Sequence, residues 1–145
     1  HGDLTGAQNT RFLARVYGTD TDHLCAYVRD FAELAQHFDK PVKSYSAGMR
    51  ARLSFGIAMG IPFDVYLVDE VAAVGDERFR QKSRRVFETR LKPATAILVS
   101  HSLPLIKAVC DRVAVLHDGH LTQFYDLEAG LNHHLSNLKR PPRAA

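Results

Sequence analysis

Tryptophan is absent from this 145-residue chain, and methionine and cysteine occur only twice each. Two cysteines, Cys25 and Cys110, are too few for a disulfide framework, or for a zinc site without histidine help. Each sits in an apolar helical pattern, so both read as buried thiols of a reducing compartment. No stretch reaches the roughly 18 to 20 uninterrupted apolar residues that a membrane-spanning helix requires, and no basic-then-apolar signal peptide opens the chain. A soluble, cytoplasmic protein is therefore expected. None of the nine glycines is followed by lysine, which excludes a G-x-x-x-x-G-K-[ST] loop within these residues. An initiating methionine is missing too, and an N-terminal portion ahead of His1 is expected to be absent.

What is present is ordinary globular composition, with 46% hydrophobic and 24% charged residues, enough for one compact core and too little chain for two comfortable domains. The formal charge of +3 and a pI near 9.0 favour acidic partners without selecting among nucleotides, nucleic acid and anionic lipid.

Thr5-Gly6-Ala7-Gln8 has capping-box spacing, and Phe12, Leu13, Val16 and Tyr17 then share one helical face before Gly18 stops the helix. Leu24, Tyr27, Val28, Phe31 and Leu34 recur at three- and four-residue steps, which predicts a second amphipathic helix ending before Asp39-Lys40-Pro41. Ser46 is a good N-cap for a third, apolar helix through Leu53, Phe55, Ile57, Ala58 and Met59 that stops at Gly60-Ile61-Pro62.

Val65-Tyr66-Leu67-Val68 is a short apolar run, as expected of a strand buried on both faces of a parallel sheet, and it ends in Asp69-Glu70. Asp76 can cap a helix running to about Leu91, Thr95 to Val99 reads as a second buried strand, and Ser102 can cap the helix carrying Leu105, Ile106 and Val109. Alternating strands and helices imply parallel strands with right-handed crossovers. Ligands in that architecture gather at the strands' carboxyl ends, where Asp69, Glu70 and His101 fall. Asp118-Gly119 marks a hairpin between Val113–His117 and Leu121–Phe124, and Asp126 opens a last helix ending near Leu138. Residues 139–145 are Pro- and Arg-rich and read as a loose tail. There is no internal repeat.

Asp69-Glu70 after four apolar residues has the form of a Walker B strand, in which the first acid holds Mg²⁺ through water and the second polarises an attacking water. Taken alone, such an ending is more often a helix cap or an ion pair. Its neighbours change that balance. Tyr45-Ser46-Ala47-Gly48-Met49 lies upstream at a helix start, where a hydroxyl, free N–H groups and the helix dipole suit a phosphate, against the plainer reading of a simple N-cap. Ala73-Val74-Gly75-Asp76 follows the acids, and Val99-Ser100-His101-Ser102 closes the next strand and places an imidazole near the same phosphate site.

The ordered series YSAGM, YLVDE, AVGD and VSHS resembles the signature motif, Walker B, D-loop and H-loop of ABC-transporter ATPases. The stretches LTG-x-x-N-x-RF at Leu4–Phe12 and YSAGMRARLSFGIAMGIPFDVYLVDEVAAVGD at Tyr45–Asp76 are most similar to the capsular-polysaccharide exporter branch. The resemblance covers nearly the whole chain apart from the tail.

It implies a partial P-loop NTPase fold in one domain, 1–138, with a helical subdomain over about 1–60 and a catalytic-core part over about 61–138. It also implies ATP and Mg²⁺ as cofactors. Glu70 is implied as the catalytic carboxylate, Asp69 as the Mg²⁺ partner through water, and His101 as the switch residue on the γ-phosphate. Ser46, Ala47, Gly48 and Met49 would cap a nucleotide held by a second ATPase subunit in a head-to-tail dimer, with Asp76 at the interface. A transmembrane permease subunit would dock on the helical subdomain, Leu4 to about Leu34, at the cytoplasmic face of the bacterial inner membrane.

Ala47, Met49 and Val71-Ala72 depart from the commonest family residues in the manner of the polysaccharide branch, and His1 stands at the Q-loop position. Without the Gly-Lys loop, tight ATP binding by this chain alone is not expected. Exposed apolar surface and aggregation are.

Three alternatives stand beside this reading. The chain can be a non-hydrolysing dimerisation remnant of such a subunit, the ATPase of an O-antigen or teichoic-acid exporter, or, with less support, a basic DNA-binding domain. Arg78, Lys82 and Arg85 on one helix face, with Arg80 and Arg84, read as a solvated surface. No base-reading motif accompanies them, so no nucleic-acid partner is expected. The adjacent pair His133-His134 lacks the helical spacing of metal ligands.

Overall fold

The structure, a computed structural model, describes residues 1–69 and 76–139. Helix α1 spans Gly6–Val16, α2 Thr21–Ala32 and α3 Ala47–Gly60, with short 3-10 turns at Ala35–Asp39 and Val42–Ser44 between the last two. Strand β1 (Val65–Asp69), α4 (Glu77–Leu91), β2 (Thr95–Val99) and α5 (Leu103–Val109) follow. A hairpin of β3 (Val113–His117) and β4 (His120–Phe124) then leads to α6 (Leu127–Leu138). The chain divides into two compact units. One holds His1–Tyr66 with α4 up to Thr95, and the other holds the end of β1 and everything from Ala96 onward.

The first unit is built by local capping followed by close helix packing. Thr5 Oγ1 accepts from the Gln8 N–H at 3.0 Å while Gln8 Oε1 accepts from the Thr5 N–H at 2.9 Å, the reciprocal box expected from sequence. The buried face of α1 is Gly6, Ala7, Thr10 and Ala14. Phe12, Val16 and Tyr17, expected to share the packed face, are instead 59%, 58% and 54% exposed. Small side chains let α1 approach its neighbours closely. At Gly6 an added Cβ would lie 2.6 Å from Tyr45 Oη and 3.0 Å from the Phe38 carbonyl, so this contact tolerates no side chain at all.

Helix α2 is capped by Asp20, which accepts from the His23 N–H at 2.7 Å, and it buries Leu24, Cys25, Val28, Phe31 and Ala32. It ends sooner than the periodicity predicts. Glu33 turns left-handed at φ 52°, Ala35 does the same at φ 46°, and the buried Leu34 lies beyond the helix. The core joins these residues to Phe38, Tyr45, Leu53, Ile57 and Ile61.

Strands β1 and β2 are neighbours in a two-stranded parallel sheet joined through α4. Both were expected to be buried on both faces, and they are not. Tyr66 is buried, but Leu67 is 77% exposed, and Val65, Ile97 and Val99 are more than half exposed. A parallel strand is buried only when layers cover both its faces, and among the described residues these positions remain uncovered.

The hairpin has the expected register, Val113 opposite Phe124 through His117 opposite His120. Its turn residues Asp118 and Gly119 both take positive φ, 47° and 75°, as a two-residue hairpin loop requires. Asp126 caps α6 by accepting from the Ala129 N–H. Ser102 precedes α5 but makes no side-chain cap there. Pro104 has no N–H to offer, and the Leu105 N–H, the other donor a cap would use, already donates to the Ser102 carbonyl.

Candidate functional site

The N-terminal end of α3 is held from below. Tyr45 is buried with its hydroxyl donating to the His37 carbonyl, and Arg50 donates to the Tyr45 carbonyl. The chain then turns extended at Ser46 (ψ 164°). Its Oγ accepts from the Met49 N–H at 3.2 Å, and its carbonyl receives the Arg50 N–H at 3.0 Å. The Ala47 and Gly48 N–H groups belong to the first turn, which has no intrahelical acceptors for them. Ser46, Ala47 and Gly48 are exposed and Met49 is half-buried. A Cβ on Gly48 would meet nothing nearer than Ser46 Oγ at 3.9 Å. Glycine there costs the helix about 0.5–1 kcal/mol relative to alanine, and the packing of this chain does not ask for it.

Asp76 is both a cap and an ion-pair partner. Its Oδ1 accepts from the Phe79 N–H at 2.9 Å, opening α4, and its Oδ2 lies 3.0 Å from Arg52 Nη2. The Phe79 N–H first, and then Arg52, hold its carboxyl below the usual carboxylate range. Arg52 also lies 4.4 Å from the centre of the Phe79 ring and 3.9 Å from Glu33 Oε2. Lys82 closes the group, donating to Glu33 at 2.9 Å and to the Phe31 carbonyl at 3.1 Å. Glu33 is accordingly depressed, chiefly by the Lys82 hydrogen bond.

Lys82 thus departs from the solvated face expected of it, while Arg78, Arg80, Arg84 and Arg85 remain exposed. Sequence reasoning passed over Arg52 and Glu33. The available signal was a second arginine, two residues after Arg50, entering the apolar part of the helix, but its partners lie on other elements.

Asp69 ends β1, and His101 follows the end of the neighbouring β2. Both are exposed, and both belong to the second unit. The backbone N–H of Ser102 donates to Ser100 Oγ at 3.0 Å, which tightens the turn that carries His101. Glu70 and the segment 71–75, including Val71-Ala72, lie outside the described residues, as does 140–145 of the expected tail. His1 is exposed, and its imidazole accepts from the Asp3 N–H at 3.3 Å.

Two clefts of about 450 and 290 Å³ occur in the first unit, the larger beside Arg85–Pro93 and the smaller between Pro62–Tyr66 and Arg90–Thr95. Tyr66 of the YLVDE run lines the smaller one, but none of Ser46–Met49, Asp69, Asp76 and His101 lines either. Ser46, Ala47, Gly48, Asp69, Asp76 and His101 are all exposed.

No protein-family model matches the chain. It is 46% identical over 136 residues to the capsule polysaccharide export ATP-binding protein CtrD of Neisseria meningitidis serogroup B, covering 93% of this chain and 62% of that protein. It is 42% identical over 134 residues to the polysialic acid transport ATP-binding protein KpsT of Escherichia coli, covering 90% of this chain and 60% of that one. Among solved structures, the ATP-binding subunit of an ABC transporter superposes with a TM-score of 0.76 at 19% identity, over 97% of this chain and 64% of the other; this likeness concerns the fold. At 46% and 42% identity this chain is a homologue of these two ATP-binding proteins, CtrD and KpsT, and spans about 60% of their length, and its fold is that of an ABC-transporter ATP-binding subunit.

Proposed function

We propose that this chain carries the hydrolytic and partner-facing motifs of the ATPase subunit that drives export of a capsular polysaccharide. The observation that carries the reading is the exposed, Ser46-capped start of α3, with Gly48 in open space. A glycine unexplained by its own chain, beside unpaired N–H groups at a helix start, suits an external phosphate that must come close. The names of the relatives support the cargo.

In this reading Glu70 polarises the attacking water, and His101, at the carboxyl end of the sheet, hydrogen-bonds the γ-phosphate. Ser46, Ala47, Gly48 and Met49 close over ATP held by a second subunit, with Asp76 at the dimer interface and His1 at the Q-loop position. No group of three or more metal-ligating side chains occurs among the described residues. Mg²⁺ uses one or two carboxylates, here Asp69, and draws its remaining ligands from water and phosphate. Mg²⁺ supplies neutralisation of the phosphate charge.

The permease subunit docks on the helical subdomain. The outward Phe12, Val16 and Tyr17 of α1 offer it an apolar patch. In this reading the subunit sits peripherally on the cytoplasmic face of the inner membrane through its permease partner; among the described residues no helix is long and apolar enough to cross a membrane.

ATP hydrolysis by the isolated chain, compared with a version extended upstream through a phosphate loop, tests the assignment. Activity only in the extended form, and its loss in Glu70→Gln, is the expected result. Glu70-dependent hydrolysis by the short chain overturns the placement of the phosphate site. The second reading, a non-hydrolysing dimerisation module, rests on the absence of any Gly-Lys pair. Inactivity of both forms, with retained pairing to intact subunits, favours it.

A further inference from the structure

We propose that Arg52 is a positioning residue that locks the Ser46 end of α3 to the Asp76 start of α4, so that the two partner-facing ends of the subunit move as one body. The inference rests on the function proposed above for Ser46–Met49 and Asp76. Arg52 lies further along the helix that Ser46 begins, and its side chain is only 20% exposed. Its guanidinium meets three side chains on two elements: the Asp76 carboxylate at 3.0 Å and the face of Phe79 at 4.4 Å at the start of α4, and Glu33 at 3.9 Å at the end of α2.

Phe79 is itself buried, and its N–H is the group that Asp76 caps, so Arg52 grips the first turn of α4 through both its carboxylate and its ring. The opposite side is braced by Lys82, which ties α4 to the C-terminal end of α2 through Glu33 and the Phe31 carbonyl. Glu33 holds a left-handed backbone (φ 52°), a conformation that a non-glycine residue keeps only when its surroundings hold it.

A mostly shielded guanidinium is an expensive way to add stability, because its desolvation offsets much of the pairing. What a planar guanidinium held between two carboxylates and a ring adds is fixed geometry. A displacement at Ser46–Met49, when a phosphate engages there, is therefore passed through α3 and Arg52 to Asp76 and the first turn of α4.

The test uses the full-length gene product carrying these residues, with wild type, Arg52→Met, Asp76→Asn, the double variant and Arg52→Lys. Methionine keeps the contact with Phe79 and removes the charge. Asparagine keeps the cap of α4 and removes the ion pair. Each single variant is expected to lower kcat for MgATP about tenfold with KM changed less than about twofold. The double variant should be no worse than either single, and Arg52→Lys should recover part of the rate.

Additive losses, a rise in KM that accounts for the loss, or unchanged kcat overturn the proposal. If Arg52→Met does not fold, the kcat and KM of Asp76→Asn decide by the same criteria. Glu70→Gln, measured alongside, separates the two levels. Wild-type hydrolysis that does not depend on Glu70 defeats the functional reading itself, whereas Glu70-dependent hydrolysis with uncoupled Arg52 and Asp76 defeats only this inference.

Discussion

The two units handle apolar surface differently. The first encloses its own core: Leu24, Val28, Phe38 and Phe79 are essentially inaccessible, and α1 presents small residues inward so that the helices meet closely. The second buries Ile106, Val115 and Leu131, yet leaves Leu67, Ile97, Val99, Leu116 and Leu121 more than half exposed. Helices satisfy their backbone internally and need one apolar stripe covered. A parallel strand needs layers over both faces, and a two-stranded antiparallel hairpin leaves a face open where nothing packs on it. The first unit therefore closes a core while the second keeps open strand faces.

The sharpest way to break this comparison is to truncate a side chain in each unit. Phe38→Ala should cost about 3–5 kcal/mol in chemical unfolding, whereas Leu121→Ala should change stability by less than about 0.5 kcal/mol. Similar losses at both positions would mean that Leu121 is covered in solution. Next in size, Thr5→Ala removes half of the α1 capping box and should lower stability by about 1 kcal/mol, read as a shift in thermal midpoint.

A subtler effect concerns acid. Asp76 and Glu33 are depressed in the folded chain, by the Phe79 N–H and Arg52 in one case and by Lys82 in the other. Their contribution is present above the unfolded carboxyl pKa and is lost as pH falls through the lower folded values. Wild type should therefore lose stability below about pH 4 more steeply than Asp76→Asn. An unchanged slope would deny that the Asp76 pair persists in solution. The smallest expected change in stability comes from Ile97→Thr on the open strand. Its free energy of unfolding should move little, while light scattering of the isolated chain should fall if that face drives association.

Devices that act within one turn of chain were readable in advance. Thr5, Ser46, Asp76 and Asp126 cap their helices with side-chain bonds three residues ahead, and Asp118-Gly119 turns the hairpin. The motif order was legible for the same reason, since each motif is a contiguous run at the end of an element. Ser102 shows the limit of such reading: its cap failed because Pro104 removed a donor. The end of α2 was missed because Glu33 and Lys82 meet from distant parts of the chain.

The sequence by itself determined the element order, four of the caps, the hairpin register and the placement of Asp69 and His101 after successive strands, because each follows from residues within a few positions of one another. Tertiary structure alone decided which stripe of α1 faces inward, that Tyr45 requires a bare Gly6, that the strand faces stay open, and that Arg52 reaches Asp76. Each of these depends on how much space and which partner a distant segment supplies, and periodicity carries no record of either.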